Sequence, residues 1–354
     1  MPKPRLSVLI DTYNHEQFIA QAINSVLEQD MSIADVEIIV VDDGSTDRTP
    51  EIIRGFEPHV RVLCKKNGGQ ASAFNAGIPE CRGEIIAFLD GDDWWERDKL
   101  RSVLPEFEAN PEIGAVGNGL FEVNAEGEKL FVNTPDRVYR CFFRTAEEGI
   151  WFRELMAYMG TSRLAIRKSV LDKILPVPEG IVIEADEYLA TLAVALSGAL
   201  VIEKPLTNYR LHPGNLYQYG TFDLGKAKRK SDALGCLISQ LADRLEDFGI
   251  SLEIIDALLE NRRVEAERLR LSVRGGCPWE TFRVEQQAWN LRFDRCSLGY
   301  RIFQAMVLGV ALIMPPRVFY RMKTSYTDSG LHRIRRVIAR AVPTKSLVVR
   351  KAAG

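Results

Sequence analysis

Residues 85–93 read IIAFLDGDD, an apolar run that ends in three carboxylates, Asp90, Asp92 and Asp93. Three anions at the end of a buried strand repel one another unless a cation lies among them, and hard oxygen ligands select Mg2+ or Mn2+. A solvated acidic turn capping a helix from Glu96 is the plainer alternative. A second acidic pair, Asp42 and Asp43, leaves another apolar run in VVDDGSTDRT, where Gly44, Ser45 and Thr46 turn the chain towards a helix. A carboxylate there can accept from a base N–H or a ribose hydroxyl, although the same residues are also ordinary Asp-Gly turn chemistry. Farther on, Glu184, Asp186 and Glu187 precede an apolar helical run, and KPLTNYRLHPGN carries Tyr209, Arg210, His212 and Asn215.

The elements that must position these groups follow from hydrophobic period. Short β-branched runs at 6–10, 36–41, 60–65 and 83–89 alternate with helical spacing, the pattern of βαβ units and a mostly parallel α/β sheet. Helices are expected at 18–27, with Asn14 as its cap, from Ser45 or Thr46 to Phe56, and at 70–76. Each polar motif then falls in a loop at the C-terminal end of a strand, where open α/β sheets bind ligands. After Pro205 the strand pattern fades, and from about Phe222 the chain reads as an α-helical appendage, interrupted at Gly275, Gly276 and Pro278.

Taken together, DTYNHEQF at 11–18, the DDGS loop, NGGQASAFNAG at 67–77 and RGEIIAFLDGDD at 82–93 resemble family 2 of the glycosyltransferases, of the GT-A fold. The resemblance covers about residues 6–215. It implies an inverting transfer of one sugar from a nucleotide-sugar, with UDP-sugars favoured, to a glycan or lipid-linked acceptor in cell-surface glycan or glycolipid synthesis. Residue by residue, it implies that Asp42 or Asp43 reads the base, that Asp90, Asp92 and Asp93 bind ribose and a metal, and that Asp186 is the base that deprotonates the acceptor. Thr12, Tyr13, Asn14, Asn67, Gly69, Gln70, Gly91 and Arg210 become nucleotide-binding candidates, and His212 joins Asp92 and Asp93 as a candidate metal ligand. The chain departs from the family at Asp11, where Pro is frequent, and at Ala185, where an acidic pair is usually contiguous. The Asp11 carboxylate could add a ribose contact or cap the turn, and the turn cap is favoured.

Length and composition frame this reading. With 354 residues, 46% hydrophobic and 27% charged, the chain has the balance of a folded globular protein too long for a single small core. The expected division is 1–110 for the nucleotide-sugar-binding half, 111–221 for the acceptor half, 222–298 for a helical region and 299–354 for an apolar and basic C-terminal segment. Six scattered cysteines write no zinc ribbon or dithiol motif, and the short apolar run at 6–10 is no signal peptide, so a cytoplasmic location, peripheral on the inner membrane face, is expected. From Arg301 onward eleven Lys and Arg stand against one acid, Asp328. The apolar stretch 302–314 is too short to span a bilayer, and a basic amphipathic helix around 331–340 is expected to lie with it on an anionic membrane surface, the alternative being a buried helix packed on the catalytic domain with a solvated basic tail. Sparse aromatic interleaving in that tail argues against a nucleic-acid partner. The lack of a Gly-rich basic triphosphate loop argues against a nucleotidyltransferase, and an inactive sugar-nucleotide-binding module would not need Asp186. Gln286, Gln287 and Trp289 form no Q-x-x-R-W segment, which disfavours a processive synthase.

Overall fold

The computed structural model describes residues 4–32, 35–212, 214–215, 223–291 and 298–328. In chain order the first half holds β1 (Leu6–Thr12), α1 (Ile19–Leu27), β2 (Val36–Asp42), α2 (Thr49–Arg54), β3 (Arg61–Cys64), α3 (Gln70–Gly77), β4 (Ile85–Asp90), β5 (Trp94–Trp95) and α4 (Lys99–Ala109). Then come β6 (Ala115–Val123), β7 (Lys129–Asn133), β8 (Tyr139–Cys141), α5 (Ala146–Leu155), β9 (Ala165–Arg167), α6 (Lys168–Ile174), α7 (Ala185–Ser197) and β10 (Ala199–Arg210). The remainder is helical: α8 (Leu224–Asp247), α9 (Leu252–Arg274), α10 (Pro278–Asn290), α11 (Leu298–Ala311) and α12 (Pro316–Asp328).

The sheet runs β3-β2-β1-β4-β9-β6-β10-β5, with β7 beside β6 and β8 beside β10. Strands β3, β2, β1 and β4 are parallel, as their continuous apolar runs require when both faces are covered. Val8 and Ile10 face α1 and α4 in one core with Ile23, Val26, Val103 and Phe107. On the opposite face α3 packs so closely that a Cβ on Gly77 would lie 2.4 Å from a Leu9 methyl. The sheet becomes mixed at β9, which is antiparallel to both β4 and β6.

Two local expectations are corrected. Asn14 does not cap α1: the helix begins at Ile19 without a side-chain cap, and Asn14 instead adopts a left-handed φ of 57° and turns the chain. Its short amide tolerates that conformation better than a branched side chain would. The strand pattern also does not end at Pro205. That residue sits at a register shift within β10, where the missing N–H is tolerated, and the strand continues to Arg210.

The chain divides into two compact units, Met1–Leu216 with Ala233–Glu260, and Tyr217–Asp232 with Asn261–Gly354. In the second, Val264, Leu271, Val284, Ala311, Phe319 and Tyr320 form a small core. The buried Glu285 carboxylate lies beside it, held by Arg268 through two hydrogen bonds of 2.8 and 2.7 Å and by Lys323. The 331–340 helix lies outside the described residues.

Candidate active site

Parallel pairing of β1 with β4 sets Asp11 opposite Asp90, and pairing with β2 sets Thr12 opposite Asp42. The acidic ends of three strands therefore meet at one edge. One carboxylate oxygen from each of Asp90, Asp92 and Asp93 lies within 4.8 Å of the others. Asp11 Oδ1 and Asp93 Oδ2 are buried there without a hydrogen-bond partner. Burial, reinforced by Asp11 and Asp92, pushes the Asp90 carboxyl well up from its ordinary value. Burial with the Asp92 charge raises Asp93 to about 7. Buried anions without donors are costly unless paired or metal-bound, so this donor set fits a divalent cation. Asp11 is thus a member of the acidic group, not a turn cap.

Two imidazoles face this group. His212 Nε2 stands 3.0 Å from Asp92 Oδ2, and His15 Nε2 stands 3.8 Å from the same oxygen. Burial alone would raise the Asp92 carboxyl, but the bond from His212 and the nearby His15 outweigh it and hold the carboxyl below its usual range. Burial lowers His15 in turn, against the pull of Asp92. Asn215 pins the turn that delivers His212, its amide donating to Arg210 O at 2.9 Å while its backbone N–H donates to His212 O.

Asp186 lies in the first turn of α7. Its Oδ2 accepts from the Thr161 N–H at 2.9 Å and the Thr161 hydroxyl at 3.2 Å, and its Oδ1 accepts from the Glu187 N–H at 2.8 Å. Thr161, which holds Asp186, is followed by Ser162, whose hydroxyl bonds Asp90, so consecutive residues link Asp186 to the acidic group. Glu184, with φ 64°, makes the left-handed turn into α7. Such a conformation costs about 1–3 kcal/mol and marks a junction that the surrounding structure over-determines. Gln70 braces the same junction: its amide donates to the Thr161 hydroxyl at 2.9 Å, and its carbonyl accepts from the Ala185 N–H at 3.0 Å. At Gly69 φ is +82°, and a Cβ would lie 2.8 Å from Val182 O, so only glycine permits this approach.

Several other candidates are committed to holding loops. Asp43 accepts from Lys65 Nζ at 2.6 Å and from the N–H groups of Gly68 and Gly69, whereas the Asp42 carboxylate accepts only the Ser45 N–H among the described contacts. Asn14 Oδ1 accepts from the Thr46 N–H at 2.7 Å. Arg210 is buried, its guanidinium between the Phe18 and Trp94 rings, and it donates to the carbonyls of Asp92 and Ala125 and to Gln21. Its backbone N–H donates to Asp93 Oδ1 at 2.9 Å. Arg210 is thus a brace for the acidic loop, not a free cation facing a diphosphate. Tyr13 and Asn67 are exposed at the rim, and Gly91 packs against Thr12 and His15.

Sequence reasoning missed His15 and the braces Thr161 and Ser162. The Ser162 hydroxyl donates to Asp90 Oδ2 at 3.3 Å, and the Ser162 carbonyl accepts from the buried Lys99 at 2.9 Å. His15 lies inside a motif already singled out. Thr161 and Ser162 carry no local signal, because their role depends on β9 pairing with β4.

Residues 7–175 match the model of glycosyl transferase family 2. An uncharacterised glycosyltransferase of Nostoc is 30% identical over 243 residues, 65% of this chain and 71% of that protein. Chondroitin synthase of Pasteurella multocida is 37% identical over 130 residues, 36% of this chain but only 13% of that protein. Among solved structures, S. aureus TarS residues 1–349 with UDP-GlcNAc gives a TM-score of 0.53 at 16% identity, covering 94% of this chain and 92% of that one. The Pyrobaculum calidifontis mannosyltransferase PcManGT, in complex with GDP-Man and Mn2+, gives 0.50 at 20% identity, covering 96% and 87%. Sequence and fold agree, and the chain belongs to the family 2 glycosyltransferases.

Proposed function

We propose that this glycosyltransferase moves one sugar from a nucleotide-sugar, with UDP-sugars favoured, to a hydroxyl of a glycan or lipid-linked acceptor, inverting the anomeric configuration. The observation that carries this reading is the acidic group of Asp90, Asp92 and Asp93 at the strand ends, to which Asp186 is linked through the consecutive residues Thr161 and Ser162. Structural likeness to a UDP-GlcNAc complex and to a GDP-Man–Mn2+ complex supports the donor class. Relatives named for chondroitin and teichuronic acid synthesis support a surface glycan as the product's setting.

Asp92, Asp93 and His212 would hold Mn2+ or Mg2+, which when bound offsets the negative charge of the nucleoside diphosphate. The chain's own residues do the rest. Asp42, at the end of β2, is the better placed of its pair to accept from the base, since Asp43 is already taken by the 65–69 loop. Gln70 and Thr161 fix the Asp186 carboxylate. Asp186 takes the proton of the acceptor hydroxyl as its oxygen bonds to the anomeric carbon, and the bond from that carbon to the diphosphate oxygen breaks on the opposite side. A single displacement inverts the centre. The test is a donor screen of the purified chain with Mn2+, reading nucleoside diphosphate release. Release from at least one UDP-, GDP- or dTDP-sugar supports the reading, and release from none, with any of a panel of glycan and lipid-linked acceptors, contradicts it.

A pH dependence follows from Asp93. Its carboxyl holds a proton up to about pH 7, whereas the unfolded chain releases it near 3.8. The folded state therefore binds the extra proton between those values, and raising the pH across that window removes stability from the metal-free protein. A cation would replace the proton, so its affinity should fall about tenfold per pH unit below 7. Melts with and without Mn2+ and UDP at about pH 5.5 and about pH 8 check this. The metal-induced rise should be larger at the higher pH, and an equal rise would place Asp93 outside the metal site.

The second unit supports a membrane-surface setting. No helix among the described residues is long and apolar enough to cross a membrane. Yet Leu298, Ile302, Met306 and Val310 of α11, Ile313, and Val318 and Met322 of α12 are exposed, Ile313 to 82%, and Arg301, Arg317 and Arg321 stand among them, while Lys323 is paired with Glu285. An apolar face rimmed by cations suits a headgroup layer. In flotation assays the full chain should bind anionic vesicles in a salt-sensitive manner, and deletion from Tyr300 should release it. Failure to bind at low salt would favour a soluble acceptor.

A further inference from the structure

The loop between β1 and α1 brings a residue to the acidic group that the metal reading above does not use. His15 and His212 approach the same Asp92 oxygen at 3.8 and 3.0 Å, with their rings edge to face and centroids 6.4 Å apart. The His15 ring is firmly held. Its Nδ1 lies 3.2 Å from the buried Thr12 hydroxyl, and its backbone N–H donates to Thr49 Oγ1 at 2.9 Å. The flanking N–H groups of Asn14 and Glu16 donate to Ser45 and Asp47, so the loop is tied on both sides to the segment after β2. Gly91 closes the cradle: a Cβ there would stand 2.5 Å from Thr12 Oγ1 and 2.9 Å from His15 Nδ1.

The 3.8 Å separation is too long for a hydrogen bond. It is a natural span across an ion. Bonds of about 2.1 Å place ligand atoms about 3.0 Å apart at right angles and about 4.2 Å apart when opposed, and both His–Asp92 separations fall in that range. An imidazole fixed through one ring nitrogen, with the other aimed at a shared carboxylate, is how proteins orient metal-binding histidines. The buried, partnerless Asp93 Oδ2 nearby is an independent sign that the group is built around a cation.

We propose that His15 is a further ligand of the divalent cation, so that in this chain two imidazoles, not one, join the carboxylates of Asp92 and Asp93. The inference rests on the metal reading above. Nitrogen ligands suit first-row transition ions better than Mg2+. The site should accordingly discriminate for Mn2+ or Co2+ against Mg2+.

The test uses the full chain loaded with Mn2+ and UDP, with pulsed EPR counting the nitrogens bonded to manganese and calorimetry giving Mn2+ and Mg2+ affinities. Wild type should show two histidine nitrogens, and His15→Gln and His212→Gln one each. His15→Gln should lose at least about 10-fold in Mn2+ affinity, since even outer-shell losses cost 10–100-fold, with a much smaller change for Mg2+. Metal-free melting of the variants should match wild type, although the wild-type nitrogen count needs no variant. One nitrogen in wild type, or two persisting in His15→Gln, overturns the inference while leaving the metal reading intact. No Mn2+ uptake by wild type, with or without UDP, overturns both.

Discussion

Asp186→Asn is expected to lower sugar transfer by about 10²–10⁴-fold, the worth of a positioned general base, while leaving Mn2+-dependent UDP binding within about threefold of wild type. The substitution keeps the size of the side chain and one oxygen for the Thr161 N–H, but an amide cannot take the acceptor's proton. The separation of the two effects is the informative part. A variant that bound donor poorly would show that Asp186 shapes the nucleotide site, and one with near wild-type turnover would move the base to Glu184 or Glu187. Turnover and calorimetric UDP affinity, measured on the same preparation, decide among these.

Asp92→Ala is expected to weaken Mn2+-dependent UDP binding by about 100-fold or more, beyond the 10–100-fold typical of outer-shell losses, with little change in melting temperature. The side chain removed is the one both histidines address. The contact that Arg210 makes at this residue is to the Asp92 backbone carbonyl, and it survives truncation. The loop should therefore keep its course while its charge is lost. Unchanged UDP affinity in the presence of Mn2+ would remove the metal assignment, whereas a large drop in melting temperature would show that the carboxylate also carries structure.

The segment 1–110 was readable because its strands are mostly unbroken apolar runs and each polar motif follows one directly. The segment 111–221 was harder. Nothing local announces that β9 runs antiparallel between β4 and β6, yet that pairing delivers Thr161 to Asp186 and Ser162 to Asp90. Pro205 looked like the end of strand pattern because a proline removes a ladder donor, and a register shift in β10 absorbs the loss. Asp42 and Asp43 were equivalent as letters. Only the contacts of the 65–69 loop separate them, by filling Asp43 with donors. Arg210 carried a charge that suited a diphosphate, but its stacking between Phe18 and Trp94 depends on rings 192 and 116 positions away in sequence. His15 was visible within DTYNHEQF, while its meeting with Asp92 required β1 and β4 to be neighbours. The apolar stretch 302–314 falls largely in α11, which spans Leu298–Ala311, four residues earlier at its start and three at its end.

The most direct test of the account is crystallographic: crystals grown with UDP and Mn2+, with anomalous data collected at the manganese edge. The account predicts a single strong anomalous peak at the side chains of Asp92, Asp93 and His212, with the uracil beside Asp42 and the Asp186 carboxylate open to the acceptor side. Ordered UDP with no anomalous peak at Asp92, or with its base lodged away from Asp42, would contradict it.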